Sequence, residues 1–355
     1  MKNNKIIKVS SKLYRKTNNF HTEYYSDNRS LSQFFWLFKK EKFNDLKNYF
    51  LFLKENKICS SIGFIKYNFI NKNRVISCFK PEDVLSNIEG IKNKAFEKIN
   101  QKFEKKKNNF FFFHFSNVGW AFKKLNYKIN FGNRFTYLKF YKKRALERIL
   151  KQKKYSRFKI NFITNIFFLY LNFFDKLKVK SNNELIFKLS DNCPTWVDSL
   201  FKSFINYWEC FTVVRSKEFL SWRIFNNPFK KNKFISIYDN KIPIGYFIFE
   251  IDKKVLSVID IVIVPRTKKM NSKYIINEII RFIDNYCINK NIEYSKFEIY
   301  LDFKLNKIIK TQLLKNYYLK NKKKSDFSFK TNIQSIIKEI SKENFYLTNI
   351  LKAGR

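Results

Sequence analysis

Phe234-Ile235-Ser236-Ile237-Tyr238, then Asp239-Asn240-Lys241, then the run from Ile242 to Ile251 (IPIGYFIFEI): this stretch decides the fold. Two runs of β-branched and aromatic residues flank a tight polar turn, which is the pattern of a β-hairpin. Upstream lies Glu218-Phe219-Leu220-Ser221-Trp222-Arg223-Ile224-Phe225. The first half of the chain repeats this order. Ser32-Gln33-Phe34-Phe35-Trp36-Leu37-Phe38 precedes the strand Tyr49 to Leu53, the turn Glu55-Asn56-Lys57 and a second strand, Ile58 to Ile65. Both turns read acidic-Asn-Lys-Ile, and each follows an aromatic-Trp segment at a similar distance. One hairpin is common, whereas two in the same setting indicate an internal repeat.

Downstream the parallel continues. The second half adds a third strand over Lys254 to Val264, ended by Pro265. An amphipathic helix follows from Ser272 to Asn289, with Ile275, Ile276, Ile279, Ile280 and Ile283 at helical spacing. A strand (Tyr294 to Phe303), a short helix (Leu305 to Asn316) and a last strand complete it. The first half adds a strand at Arg74 to Phe79, a helix from Pro81 to Lys107, the strand Phe110 to Phe115, a short helix and a closing strand at Phe135 to Phe140. Each half reads strand-strand-strand-helix-strand-helix-strand, an α/β layout with mixed strand directions. Residues 1–140 form the N-terminal unit, 141–180 a helical connector and 181–355 the C-terminal unit.

Composition sets the limits. The chain has 355 residues, 45% hydrophobic and 19% aromatic, enough for two cores. Lys and Arg number 72 against 29 Asp and Glu, a formal charge of +43. Lys dominates and is spread along the whole chain, so the charge reads as solvated surface, and nucleic acid is not the favoured partner. The five cysteines are scattered and include no CxxC pair, which argues against a disulfide framework or a zinc site. No apolar segment follows the N-terminal Met1-Lys2-Asn3-Asn4-Lys5, and a cytoplasmic protein is expected. The most apolar run, Ile160 to Phe174, is interrupted by Asn161, Asn165 and Asn172 and is too short to span a bilayer. It reads as a helix packed between the units or, with its basic flanks, as one lying on a membrane surface.

The second half resembles GNAT-type N-acyltransferases, and the doubled order is similar to tandem GNAT proteins, Fem-type aminoacyltransferases among them. Arg215…Leu220-Ser221-Trp222-Arg223…Asn227-Pro228, Asn240-Lys241…Gly245-Tyr246 and Asp260-Ile261-Val262-Ile263-Val264-Pro265 carry the resemblance. In the first half, Asn117…Gly119-Trp120…Phe122 to Tyr127 is similar to the helix and strand that close such a unit. The resemblance implies two tandem GNAT-like domains, each a mixed, mostly antiparallel sheet flanked by helices. It implies acetyl-CoA or another acyl-CoA as cofactor. The third strand of such a fold splays from its neighbour so that backbone groups face the thioester, and the following loop wraps the pyrophosphate at a helix N-terminus.

Carried over, the strand supplies Ile261, Val262, Ile263 and Val264, and the loop is Arg266, Thr267, Lys268, Lys269, Met270, Asn271 and Ser272. The family's loop is glycine-rich and this one has no glycine; its cations and Ser272 as helix cap would have to compensate. In the first half, Glu82 and Asp83 stand where phosphate would lie, so no cofactor is expected there. Asp260 and Glu250 are candidate bases for the acceptor amine. Leu313 occupies the position of a tyrosine that often protonates the leaving thiolate. Tyr317 is the candidate substitute, while Tyr318 matches a core aromatic. Arg215, Trp222 and Arg223 are candidate substrate contacts, the arginines because Arg is scarce here and suits an acidic acceptor or a phosphate. Trp222 and Trp36 also read as anchors, and His114 as a core histidine.

Three functions remain open. The first is an acyl-CoA-dependent N-acyltransferase acting on a small amine such as an amino sugar or amino acid. The second is a Fem-type aminoacyltransferase using charged tRNA. The third is a non-catalytic tandem scaffold. No metal site is expected.

Overall fold

The structure is a computed structural model. It describes all residues except 1–3, 26–27, 39–45, 73, 108, 116–121, 130, 177–184, 268–269 and 353–355. Asn117, Gly119 and Trp120 of the first-half resemblance lie outside the described residues.

In chain order the first part contains β1 (Asn4–Lys8), α1 (Tyr14–Tyr25), α2 (Leu31–Phe38), β2 (Tyr49–Lys54), β3 (Lys57–Asn71), β4 (Arg74–Ser86), α3 (Ile88–Lys92), α4 (Ala95–Glu104), β5 (Phe111–Phe115) and β6 (Asn133–Phe140). Two helices follow, α5 (Lys143–Gln152) and α6 (Arg157–Lys176). The second part contains β7 (Leu185–Ser190), α7 (Val197–Trp208), β8 (Thr212–Val213), α8 (Lys217–Leu220), β9 (Asn232–Asp239), β10 (Ile242–Asp252), β11 (Val255–Ile263), α9 (Ser272–Asn289), β12 (Tyr294–Tyr300), α10 (Lys304–Lys315), β13 (Leu319–Lys324), β14 (Phe327–Thr331) and α11 (Gln334–Glu339).

The strands form two mixed sheets of seven. One runs β1-β2-β3-β4-β5-β14, with β8 attached to β3; the other runs β13-β6-β12-β11-β10-β9-β7. Both expected hairpins are present. Each two-residue turn holds positive φ at both positions, Glu55 and Asn56 at 50° and 61°, Asn240 and Lys241 at 46° and 72°. Such turns match the twist of the strands they join.

Two expectations are corrected. The strand at 133–140 does not close the first sheet. It lies between β12 and β13 of the second, pairing Phe140 with Tyr294 and Leu138 with Leu319. In exchange β14 pairs with β5 of the first sheet. The two halves are thus stitched by exchanged strands. Second, residues 81–86, read as the start of a helix, continue β4. Pro81 is tolerated because β4 pairs there with β3 alone, so its missing N–H breaks no ladder on the other side.

Most buried side chains belong to one cluster that runs through both halves, from Phe34 and Tyr67 to Trp222, Ile279 and Tyr346. The five cysteines are buried free thiols. Over its described side chains the apolar run does not pack between the halves. One side of α6 packs through Ile160, Phe167 and Phe168 on Phe140, Leu146 and Leu150. Its other side exposes Phe158 (80%), Phe162, Ile166 and Leu169 (70%). Among the described residues, no helix is long and apolar enough to cross a membrane.

Candidate functional site

The internal repeat has a chemical centre that neighbouring pairs of residues reveal. In the second half β11 pairs in parallel with β12 only over Val255–Val258, against Tyr294–Phe297. Beyond that point β11 follows β10 and β12 follows β6. The parting coincides with a bulge, since Ile248 opposes Asp260 while Phe249 opposes Val258, leaving Ile259 over. The first half does the same. Among the described residues β4 pairs with β5 only at Cys78–Phe79 and then diverges, with a bulge at Asp83, whose φ is 49°.

A buried ion pair stands at each bulge. Arg215 donates to both oxygens of Asp260, at 2.7 and 3.0 Å, with neither side chain exposed. Its remaining N–H groups reach Thr212 Oγ1, Val213 O and Thr348 Oγ1. All five donors of the guanidinium are therefore met. Burial opposes the charge on Arg215, but Asp260 outweighs it and raises the pKa above its ordinary value. In the first half, Arg29 donates to both oxygens of Asp83 at 3.0 and 2.7 Å, and Tyr49 Oη adds a bond at 3.0 Å. Arg29-Ser30 precedes Trp36 at the same interval at which Arg215-Ser216 precedes Trp222. Each serine caps the helix behind it, Ser30 on Gln33 N and Ser216 on Phe219 N. The two tryptophans then exchange bonds: Trp36 Nε1 donates to Trp222 O at 3.1 Å and Trp222 Nε1 to Trp36 O at 3.0 Å. This is the reciprocal contact of a two-fold interface, made within one chain.

The sequence candidates distribute unevenly over this frame. Asp260, expected in the third strand, lies at its bulge with both oxygens bonded to Arg215. Arg215 and Trp222 are fully buried structural members. Arg223 is buried as well; Nε donates to Ile350 O at 3.2 Å and Nη2 approaches Leu351 O at 3.4 Å. Glu250 is ion-paired to Lys230 at 2.9 Å. Tyr317 follows the end of α10 with φ 64°, a helix-terminating position. Leu313 is buried, and Tyr318 is a core aromatic whose hydroxyl meets Ser295 at 2.8 Å. Burial pushes the Tyr318 hydroxyl well above its ordinary pKa. His114 is buried against Phe122 and Tyr127.

In the loop before α9, Arg266 and Thr267 are exposed, and Thr267 Oγ1 accepts from Met270 N at 3.0 Å. Asn271, not Ser272, caps α9, accepting from Tyr274 N; Ser272 is buried inside the first turn. Lys268 and Lys269 lie outside the described residues. Among the described residues no cluster of three potential metal ligands occurs.

What the sequence did not suggest is the role of the tail. Residues Phe345–Leu351 enter the parting of β11 and β12. Tyr346 Oη donates to Ile261 O, and Trp208 Nε1 donates to Ile263 O at 2.8 Å. Phe204, Phe303 and Tyr346 pack ring to ring there. The backbone of Ile261 and Ile263, expected to face a cofactor, thus faces the chain's own aromatics. Between Ile259–Ile261 of β11, Phe297–Ile299 of β12 and Tyr346–Thr348 of the tail only about 30 Å³ is left.

Two larger cavities open beside the tail and share Lys352. One, about 170 Å³, sits at the vertex of the second parting and is lined by Glu250, Ser257, Ile259, Lys296 and Glu298. The other, about 260 Å³, lies at the first parting, between Lys80 and Glu82 of β4, Phe115 of β5, and Arg223 from the second half. Burial pulls the Lys352 ammonium below its ordinary pKa, against the opposing pull of Asp326. Glu298 was missed although the polar-apolar alternation of Lys296-Phe297-Glu298-Ile299 already sets it on one face with Lys296.

No protein-family profile matches the sequence, and no curated protein matches it. Solved structures do. A conserved protein of unknown function from Enterococcus faecalis V583, described as "Probable N-Acyltransferase", matches over 93% of this chain and 72% of its own, at 10% identity and TM-score 0.62. A GCN5-related N-acetyltransferase from Anabaena variabilis matches over 92% and 72%, at 10% identity and TM-score 0.61. Saccharomyces cerevisiae N-myristoyltransferase, solved with bound myristoyl-CoA and inhibitors, matches over 92% and 79%, at 10% identity and TM-score 0.55. With the two parted, bulged strand pairs and the two sheets, these likenesses show that the chain has a GNAT-type fold in tandem arrangement.

Proposed function

We propose that the protein is an acyl-CoA-dependent N-acyltransferase that moves an acyl group from a thioester to an amine acceptor. The observation that carries this reading is the vertex where β11 leaves β12 at the Ile259 bulge, with a cavity of about 170 Å³ beside it. Unpaired strand backbone at such a vertex is suited to hold a thioester carbonyl as charge develops on its oxygen. Glu250 and Glu298 line the same cavity, and in this reading one of them takes a proton from the amine. Three structural neighbours are acyltransferases by description, and one holds myristoyl-CoA. The loop Arg266 to Ser272 remains our candidate for the pyrophosphate, with Lys268 and Lys269 as its cations.

Entry of a cofactor along β11 requires Tyr346 and Trp208 to release Ile261 and Ile263. That same plug favours a second reading, a tandem scaffold without catalysis. Thermal stability in excess acetyl-CoA and myristoyl-CoA separates the two. A ligand at 100 times its Kd adds about 2.7 kcal/mol, several degrees in Tm. Tyr346→Ala, which unplugs the cleft, should bind acyl-CoA more tightly than the parent chain, and Lys268→Glu with Lys269→Glu should abolish the shift. No shift in the parent or in Tyr346→Ala sinks the acyl-CoA reading. Salt-sensitive binding of charged tRNA would then favour the Fem-type alternative.

We also read α6 as a membrane-surface helix. Phe158, Phe162, Ile166 and Leu169 form one exposed stripe, and Lys151, Lys153, Lys154, Arg157 and Lys159 flank it, suited to anionic lipid.

A further inference from the structure

The cavity at the vertex and the apolar helix α6 share one face of the second sheet. Strand register shows it. Glu250 of β10 opposes Ser257 of β11, Ser257 opposes Lys296 of β12, and Lys296 opposes Leu138 of β6. Residues directly opposite on neighbouring strands project to the same side. The first three line the cavity of about 170 Å³. The fourth, Leu138, packs into the small core that Phe167 and Phe168 of α6 complete. Tyr294, two positions before Lys296 and so on the same face, joins that core as well. The opposite face belongs to α9, since Lys139, next to Leu138, donates to Asp284 of that helix at 2.6 Å. Cavity and helix therefore adjoin, one strand spacing apart, about 4.8 Å.

The outer side of α6 carries the exposed stripe Phe158, Phe162, Ile166 and Leu169, and exposed cations precede and enter it from Lys151 to Lys159. Apolar stripe and cations together are the complement of an anionic bilayer surface. A helix held this way sinks about 5–10 Å into the headgroup boundary, and it is about 10–12 Å across with its side chains. The sheet face beneath it then stands within about 7 Å of the headgroups. The cavity on that face mixes charges: Lys230, Lys296 and Lys352 with Glu250 and Glu298. These five side chains are 15–33% exposed, so a ligand reaches their charged ends. Glu250 is paired to Lys230 at 2.9 Å and Glu298 to Lys296 only at 3.9 Å. Pairs this open to water are weak and exchange partners readily.

The complement of that set is a zwitterion held at a membrane. We propose that the cavity takes the headgroup of an ethanolamine phospholipid, whose amine is the acyl acceptor, with the ammonium on Glu250 and Glu298 and the phosphodiester on Lys296 and Lys352. Its volume, roughly that of five or six waters, takes ethanolamine phosphate and leaves the acyl tails in the bilayer. The proposal rests on the acyltransferase reading and names its substrate class. In the transfer the ammonium first gives one proton to a carboxylate, which passes it to solvent. The nitrogen lone pair then attacks the thioester carbonyl carbon, the C–N bond forms and the C–S bond breaks. Coenzyme A leaves as thiolate and ends as thiol with the second proton of the amine, and the lipid becomes an amide.

The test is co-sedimentation of the full chain with two sets of vesicles. Both hold the same share of phosphatidylglycerol; the remainder is phosphatidylethanolamine in one and phosphatidylcholine in the other. Choline keeps the phosphate and has no N–H to donate. The ethanolamine vesicles should bind about tenfold more tightly, as one hydrogen bond between charged groups implies. Glu250→Gln with Glu298→Gln should bring the ratio to about one. Equal binding by the parent chain, which needs no variant to fold, overturns the proposal, and so does a preference that survives in the double variant. A chain that binds neither vesicle and sediments as a dimer overturns it too, because a second copy then covers the stripe. Thiol release from acetyl-CoA and myristoyl-CoA on the same vesicles separates this proposal from the reading it rests on. Release that needs phosphatidylethanolamine supports both. Preference for ethanolamine vesicles without release upholds the lipid site and sinks acyl transfer. Release with a soluble amine such as glucosamine but none with phosphatidylethanolamine upholds acyl transfer and sinks the lipid acceptor.

Discussion

Asp260→Asn separates a structural role from a catalytic one at the most suggestive carboxylate in the chain. The substitution keeps shape and one acceptor oxygen but removes the counter-charge of Arg215, leaving a fully buried guanidinium with only neutral partners. Breaking one side of a buried ion pair costs about 3–5 kcal/mol, because the surviving charge is stranded in low dielectric. Native domains are stable by about 5–15 kcal/mol, so the loss takes a large share of the total. Urea unfolding followed by far-UV dichroism and tryptophan fluorescence should show the midpoint fall by that amount. The double variant Arg215→Met with Asp260→Leu should regain most of it, since two apolar side chains replace a pair that must be desolvated together. Asp83→Asn in the first half, facing Arg29, should behave alike. The reasoning is refuted if Asp260→Asn stays within about 0.5 kcal/mol of the parent, the range of an ordinary surface change, while acyl transfer is lost. Asp260 would then be the base and Arg215 its tuner.

Three further outcomes follow from the same geometry. Burial, and secondarily the charge of Lys80, hold His114 at a pKa of about 3. The unfolded chain takes up that proton near pH 6.5 and the folded chain does not, so stability is full above pH 6.5 and falls by about 1.4 kcal/mol per pH unit toward pH 3. His114→Phe should flatten the stability profile between pH 6.5 and 5, and an unchanged slope there would exclude His114 as its source. Replacing Phe158, Phe162, Ile166 and Leu169 by serine should abolish co-sedimentation with phosphatidylserine vesicles while leaving Tm near the parent value, because these side chains are already exposed. Retained sedimentation in the variant would remove α6 as the lipid contact. Truncation after Asn344 should lower Tm by far more than a loop deletion does, since Phe345, Tyr346, Leu347, Ile350 and Leu351 are all buried and each large side chain contributes about 2–5 kcal/mol. A truncated chain that melts like the parent would mean the tail does not plug the cleft in solution.

Much of the fold was legible because hairpins and amphipathic helices are local. The acidic-Asn-Lys-Ile turns placed both hairpins, and the isoleucines of α9 placed its buried face. The exchange of β6 and β14 was not legible. Alternation along Asn133–Phe140 says which side chains face a core, and it says the same whichever sheet the strand joins. Pro81 was misread because a proline usually ends a strand, and only the divergence of β4 from β5 makes it harmless. At the site, Asp83 was taken as an obstacle to phosphate when it is the counterpart of Asp260. The signal was present: aligning the halves on their tryptophans superposes Arg29-Ser30 on Arg215-Ser216. The tail carried no signal, because the buried positions of Phe345–Leu351 follow neither a strand nor a helix period.

The segment Phe345–Leu351 breaks the symmetry of the duplicated fold. Both halves build a bulged, parted strand pair behind a buried Arg–Asp pair, and the Trp36–Trp222 exchange relates them almost as copies. One tail can fill only one of two equivalent clefts. It fills the second with Tyr346, and its end lies across the first, where Lys80 Nζ donates to Leu351 O at 3.1 Å and Lys352 lines the cavity. A ligand that draws Tyr346 out of the second cleft must therefore move a wall of the first. Coupling through such a shared element is reciprocal, so a ligand in the first cleft and acyl-CoA in the second must change each other's affinity by the same factor. Titrating each ligand at saturating levels of the other measures both factors. Two ratios equal to one would show that the tail holds the clefts apart. Equal ratios different from one, abolished in Tyr346→Ala, would show that it joins them.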